Sequence, residues 1–106
     1  MNTHHQQITL ALQEAAAELV STLSNRKSLI TVTRAELTPS NDRVTFYVSV
    51  FPESAEGPAL GFLLRQRGAC REYIQDRVPM RRIPHVEFAI DQGEKSRARV
   101  DELLSE

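Results

Sequence analysis

Six arginines stand close together in the middle of the chain, and guanidinium groups at this spacing could bind phosphate. Between residues 64 and 90 every basic residue is an arginine, namely Arg65, Arg67, Arg71, Arg77, Arg81 and Arg82. The segment also holds three acids, so its charge is +3, whereas residues 1–63 and 91–106 each carry −2. Arginine presents forked N–H donors that match phosphate oxygens in pairs. Although the net charge of the chain is −1, its central segment is basic and could attract a polyanion.

A second interpretation is that these arginines are solvated helix faces, paired in part with Glu72 and Asp76. Exposed arginine is common, so composition alone leaves both interpretations open. If the arginines bind phosphate, we expect contacts from five of them and a glycine that the helix geometry requires: Arg67, Gly68, Arg71, Arg77, Arg81 and Arg82.

The sequence contains few residues arranged as catalysis would require. It contains no GxSxG, HExxH, CxxC, GxGxxG or Walker-type glycine loop. The three histidines lack a second metal ligand at a diagnostic spacing, and Ser49, Ser54 and Asp91 have no assignable catalytic partners. Cys70 lies among apolar neighbours of a predicted helix, which favours a small buried side chain over a reactive thiol. We therefore expect no enzymatic activity, no metal and no cofactor.

Length and composition are those of one ordinary globular domain. The chain has 106 residues, of which 41% are hydrophobic and 25% charged. We expect a single domain with its core at about residues 5–92 and a short tail at 93–106. The first twenty residues hold neither a basic leader nor a long apolar run, so we expect no signal peptide and no membrane span. A cytoplasmic monomer is the expectation.

Hydrophobic spacing predicts the order α-β-β-α-α-β, an α+β fold with a three-stranded sheet and helices packed on one face. The predicted elements are a helix at residues 3–24, strands at 30–38 and 44–51, a helix from about residue 58, a second helix that Pro79 stops, and a strand at 86–90. Gly68 interrupts the helical pattern and predicts a kink or a junction of two helices there.

Two finer features follow from the spacing of apolar residues. Ile30 and Val32 occupy even positions, whereas Ala35 and Leu37 occupy odd ones, so we expect a bulge near Arg34. After residue 91 the chain has few apolar residues to bury, which indicates at best a short, frayed terminal helix.

Several of these residues also form an ordered set with specific spacing. They are Ile30, Thr31, Val32 and Thr33; Asp42; Tyr47, Val48, Ser49 and Val50; Gly68 and Arg71; and Arg81, Pro84, Val86, Phe88 and Asp91. This set resembles the ribosome-binding factor A family over roughly residues 5–92. The position two before Gly68 is Gln66, where the family usually has alanine.

The resemblance implies a type II KH-like domain in which a helix-kink-helix replaces the GxxG loop of nucleic-acid-binding KH domains. It also implies a non-enzymatic factor that binds immature small (30S) ribosomal subunits and their 16S rRNA. Such a factor assists late subunit maturation, processing of precursor 16S rRNA and growth in the cold. The alternative is a protein-protein adaptor whose arginine face meets an acidic partner, with no role for RNA.

Overall fold

The computed structural model describes residues 3–23 and 28–104. Its helices and strands are, in chain order, α1 (Thr3–Leu23), β1 (Leu29–Leu37), β2 (Arg43–Phe51), α2 (Glu56–Arg65), α3 (Arg67–Arg77), β3 (His85–Ile90) and α4 (Gln92–Leu104). The predicted strands and the first three helices are confirmed, with ends that differ by at most two residues. Ser24, the predicted last residue of α1, lies outside the described residues.

The three strands form one sheet in the order β1-β2-β3. β1 pairs with β2 in antiparallel fashion, as their short connection requires. β3 pairs with the other side of β2 in parallel, and helices α2 and α3 form the crossover between the two parallel strands. The α+β class with a three-stranded sheet is therefore confirmed, and the parallel partner of β3, which the sequence did not indicate, is β2.

The predicted irregularity in β1 is a β-bulge at Thr33. Val32 lies opposite Val48 and Arg34 lies opposite Tyr47, which leaves one extra residue on β1. An extra residue reverses which side chains face the core. Leu37 is consequently as buried as Ile30, although their sequence positions differ in parity.

One face of the sheet and helices α1, α2 and α3 enclose the hydrophobic core. On β2 the alternating predicted residues Val44, Phe46 and Val48 are fully buried. The ring of Phe46 packs at 5.8 Å from that of Phe88 on β3, which ties the two parallel strands together. Cys70 is also buried, and burial raises the pKa of its thiol to about 12, which disfavours a reactive thiolate.

Helix α4 is longer than the short, frayed helix that the few apolar residues indicated. It extends over 13 residues, and its apolar side chains Val100, Leu103 and Leu104 are exposed. Polar contacts hold it instead, because Lys95 pairs with Glu53, in the short 3-10 helix Glu53–Ala55 before α2, at 2.9 Å and with Glu56, the first residue of α2, at 3.0 Å. The spacing of apolar residues predicted too short a helix, because the side chain that holds α4 in place is charged.

Asp91 joins α4 to the bulge of β1. Its side chain is buried, and Oδ1 accepts a hydrogen bond from the Glu94 backbone N–H at 3.0 Å, as a helix N-cap does. Oδ2 accepts a hydrogen bond from the Thr33 hydroxyl at 2.5 Å. These two bonds lower the pKa of Asp91 below its ordinary value, and the bond from the hydroxyl has the larger effect.

No described helix is both long and apolar enough to cross a membrane.

Candidate nucleic-acid interface

A groove of about 380 Å³ opens between the start of α3 and the end of the sheet at which β2 and β3 begin. Its lining residues come from β2, α3 and β3 and are Arg43, Arg67, Gly68, Arg71, His85, Val86 and Glu87. We call it the arginine groove. Three guanidinium groups and one carboxylate line it, so its formal charge is positive whether or not the histidine is protonated.

The order of secondary structure elements brings these residues together. Arg67 and Arg71 are four residues apart on α3 and so share one face of the helix. Arg43 begins β2 and lies opposite His85, which begins the parallel strand β3. The crossover through α2 and α3 therefore places the first turn of α3 beside the first residues of both strands.

Arg67 is held at two points. Its Nε donates to the backbone carbonyl of Leu64 at 2.9 Å. Its Nη1 donates to both carboxylate oxygens of Glu87, at 2.9 and 3.1 Å. Both side chains of this ion pair remain partly exposed, at 48% and 38%, so the groove is open to a ligand at this point.

Arg71 is exposed and has a single hydrogen bond among the described residues. Its Nη2 donates to the backbone carbonyl of Ile83, at 3.1 Å. This bond fixes the guanidinium against the connector between α3 and β3. The other donors of the group are available for an oxygen-rich ligand.

The connector carries Arg81 and Arg82. Both side chains are exposed, and neither has an ion pair or hydrogen bond with any described residue. Arg82 immediately precedes Ile83, whose carbonyl accepts the bond from Arg71. Neither Arg81 nor Arg82 lines the arginine groove.

Arg77 does not join this surface. Its guanidinium stacks on the ring of Tyr73 at 3.5 Å from the centroid, and its Nε lies 3.6 Å from Glu18 on α1. Six residues separate it from Arg71, and at 3.6 residues per turn that spacing points the two side chains to different faces. Arg77 therefore lies apart from the arginine groove, and its predicted contact with RNA stays a prediction.

The helix junction is at Gln66 and not at Gly68. The Gln66 backbone N–H donates to the carbonyl of Leu63, and the Gln66 carbonyl then accepts the bond from Cys70 that opens α3. Gly68 is the second residue of α3, has no positive φ, and a Cβ placed on it would meet no atom within 4 Å. Neither the backbone nor the available space requires a glycine there, which corrects the expected geometric role.

Substituting Gly68→Ala should therefore stabilise the protein by about 0.5 kcal/mol, because alanine loses less backbone entropy in a helix. Urea unfolding measures this change. Gly57→Ala is the matched control, since Gly57 is the second residue of α2 and also has open space around it. A loss of stability in the first variant alone would show that the junction does need Gly68.

Arg43 and His85 escaped the sequence analysis. Arg43 lies far from the arginine run along the chain, and only the parallel pairing of β2 with β3 brings it to the groove. The sequence did indicate that both residues stand at the beginning of a strand, since each immediately precedes the first buried valine of its strand. Within residues 3–23 and 28–104, no three His, Cys, Asp or Glu side chains converge as a metal site.

The fold and the groove together define an α+β domain with an arginine-lined surface at the end of its sheet where β2 and β3 begin. The family model of ribosome-binding factor A matches residues 3–104. The chain therefore belongs to the ribosome-binding factor A family.

Relatives of that name share modest identity over most of the chain. Ribosome-binding factor A of Fervidobacterium nodosum is 28% identical over 100 residues, which cover 92% of this chain and 80% of the relative. That of Lacticaseibacillus casei is 29% identical over 80 residues, which cover 73% and 68%.

Solved structures of the family have the same fold. The crystal structure of ribosome-binding factor A from Thermus thermophilus matches with a TM-score of 0.73 and 30% identity, over 80% of this chain and 92% of that one. A model of the Thermus thermophilus factor, fitted into a cryo-EM map of its complex with the 30S subunit, matches with a TM-score of 0.63 and 29% identity over 83% and 91%.

Proposed function

We propose that this protein is a non-enzymatic factor that binds the small ribosomal subunit and contacts 16S rRNA through the arginine groove. Two findings support the first part: the family membership of this chain, and the Thermus thermophilus relative, a homology model of which was fitted into a cryo-EM map of its complex with the 30S subunit. The observation that carries the second part is the convergence of Arg43, Arg67 and Arg71 on one open groove. The proposed contact surface is this groove together with Arg81 and Arg82.

The proposed interaction is with the phosphate backbone. Guanidinium groups bind phosphate oxygens in forked pairs and release the counterions condensed on the RNA. The family resemblance implies that the α2–α3 junction stands where nucleic-acid-binding KH domains have a GxxG loop, so we expect no backbone clamp for reading single-stranded bases. Phosphate geometry and RNA shape would therefore decide where the protein binds. If three groove arginines contact phosphates, log K should fall with log salt at a slope of about −2 to −3.

The proposed role is to assist the late maturation of the small subunit and the processing of precursor 16S rRNA in the cytoplasm. Through this role the protein would support growth at low temperature. A rigid domain bound to rRNA would hold a late-folding region while the subunit completes. The sheet supports such rigidity, because β2 is paired on both sides and its inward side chains are buried.

Sedimentation with purified ribosomal subunits tests this function. We expect the protein to comigrate with small subunits in a sucrose gradient at low salt and to be released when nuclease digests the RNA. An adaptor that recognises an acidic protein would keep its partner after nuclease treatment. The absence of any comigration with small subunits would contradict the proposed function.

A further inference from the structure

Glu87 occupies Nη1 of Arg67, one of the donors that a phosphate would take. Its two oxygens lie at 2.9 and 3.1 Å from Nη1 of Arg67. A carboxylate and a phosphate offer similar oxygen pairs to a guanidinium group. The one carboxylate of the arginine groove therefore sits where it competes with a phosphate ligand.

We propose that Glu87 is an internal competitor that sets the affinity and selectivity of the arginine groove for RNA. This inference rests on the proposed function. A phosphate must displace Glu87 from Arg67, so a lone phosphate gains little there. An RNA that also places phosphates on Arg43 and Arg71 gains enough elsewhere to drive the exchange. The favoured ligand is thus an RNA with several closely spaced phosphates, as a folded backbone presents.

The local geometry allows this exchange without rearrangement of the domain. The Nε of Arg67 stays bonded to the carbonyl of Leu64, so the guanidinium remains oriented when Glu87 leaves. The ion pair is partly solvated, so separating its members exposes no buried charge. On β3, Glu87 lies between the buried residues Val86 and Phe88, which hold its backbone in place.

The test is the variant Glu87→Gln, which keeps the shape of the side chain and removes its charge. Labelled protein is titrated with purified small subunits across a salt series. We expect the variant to bind about three- to tenfold more tightly at 0.1 M salt, because the RNA no longer has to displace a carboxylate from Arg67. The salt slope should change little, since the bound RNA places a phosphate on Arg67 in both proteins. Thermal unfolding is measured in parallel to verify that the variant is folded.

Glu72→Gln is the matched control. Glu72 is exposed on α3, has no ion pair with any described residue, and its substitution changes the net charge by the same amount. This control should alter the affinity less than twofold. Equal effects of the two substitutions would overturn the proposal, since a general charge effect would then explain both.

Arg67→Ala separates this inference from the function on which it rests. If Arg67→Ala weakens binding while Glu87→Gln changes nothing, the competitor role is refuted and the proposed RNA contact stands. If neither substitution changes binding although the protein comigrates with small subunits, both the competitor role and the placement of RNA in the groove are wrong. If the unmodified protein does not bind small subunits at all, the proposed function itself fails and the inference falls with it.

Discussion

Reversing two charges together, with Arg71→Glu and Arg82→Glu, should weaken binding to small subunits at least tenfold at 0.1 M salt. Each arginine is proposed to bind a phosphate, and a glutamate at either place would repel one. The salt slope should become shallower by about 2, because two phosphate contacts are lost. Stability should change by less than about 1 kcal/mol, since both side chains are exposed. Salt-dependent titration and denaturant unfolding measure the two quantities.

A control with the same change in net charge is Arg97→Glu with Arg99→Glu. Both arginines lie on α4, and neither lines the arginine groove. Their side chains are exposed and form surface ion pairs with Glu94 and Glu53. If this control weakens binding as much as the reversal at the groove, binding depends on overall charge and the assignment of the groove is wrong.

Substituting Asp91→Ala should lower the free energy of unfolding by about 2 to 3 kcal/mol, the largest stability effect that we expect from a polar residue. The variant loses the N-cap of α4, the short bond from the Thr33 hydroxyl and the contact with Arg34 at 3.7 Å. The Thr33 hydroxyl keeps only its longer bond to the Tyr47 carbonyl, at 3.2 Å. Urea unfolding, monitored by circular dichroism, gives this free energy. Asp76→Ala is a suitable control, because Asp76 is exposed and has no ion pair with a described residue. A loss below about 0.5 kcal/mol in Asp91→Ala would show that α4 is held without its cap.

The same residue predicts a pH dependence. The bond from Thr33 and that from the Glu94 N–H lower the pKa of Asp91 below its ordinary value of 3.8. The folded state therefore binds the proton less readily than the unfolded chain, and stability rises with pH in this range. The contribution is complete above the ordinary value and is lost as the pH falls through the lower, folded value. An Asp91→Asn variant should lose less stability than the unmodified protein on acidification through this window.

The sequence predicted the elements whose pattern is local. Alternation on β2 placed Val44, Phe46 and Val48 in the core, because neighbouring strand residues face opposite sides. The change of parity between Val32 and Ala35 located the bulge for the same reason. Local spacing determines which residues share a face, and the sequence displays that spacing directly.

Features that depend on the pairing of distant segments could not be predicted from the sequence. The parallel partner of β3 could not be known, so Arg43 and His85 were not placed beside the arginines of α3. The separation of Arg77 from Arg71 could have been found, since six residues on a helix turn a side chain to another face. The length of α4 could not be inferred, because its anchors are the ion pairs of Lys95 with Glu53 and Glu56 and a capping bond to Asp91.

Cross-linking the bound protein to RNA tests the central claim most directly. The protein is bound to purified immature small subunits, irradiated, digested, and its nucleotide-bearing peptides are identified by mass spectrometry. We expect 16S rRNA nucleotides on peptides that contain Arg67, Arg71 or the connector at residues 79–84. Nucleotides attached to peptides of α4 or β1 alone, with none at the arginine groove or the connector, would contradict the account.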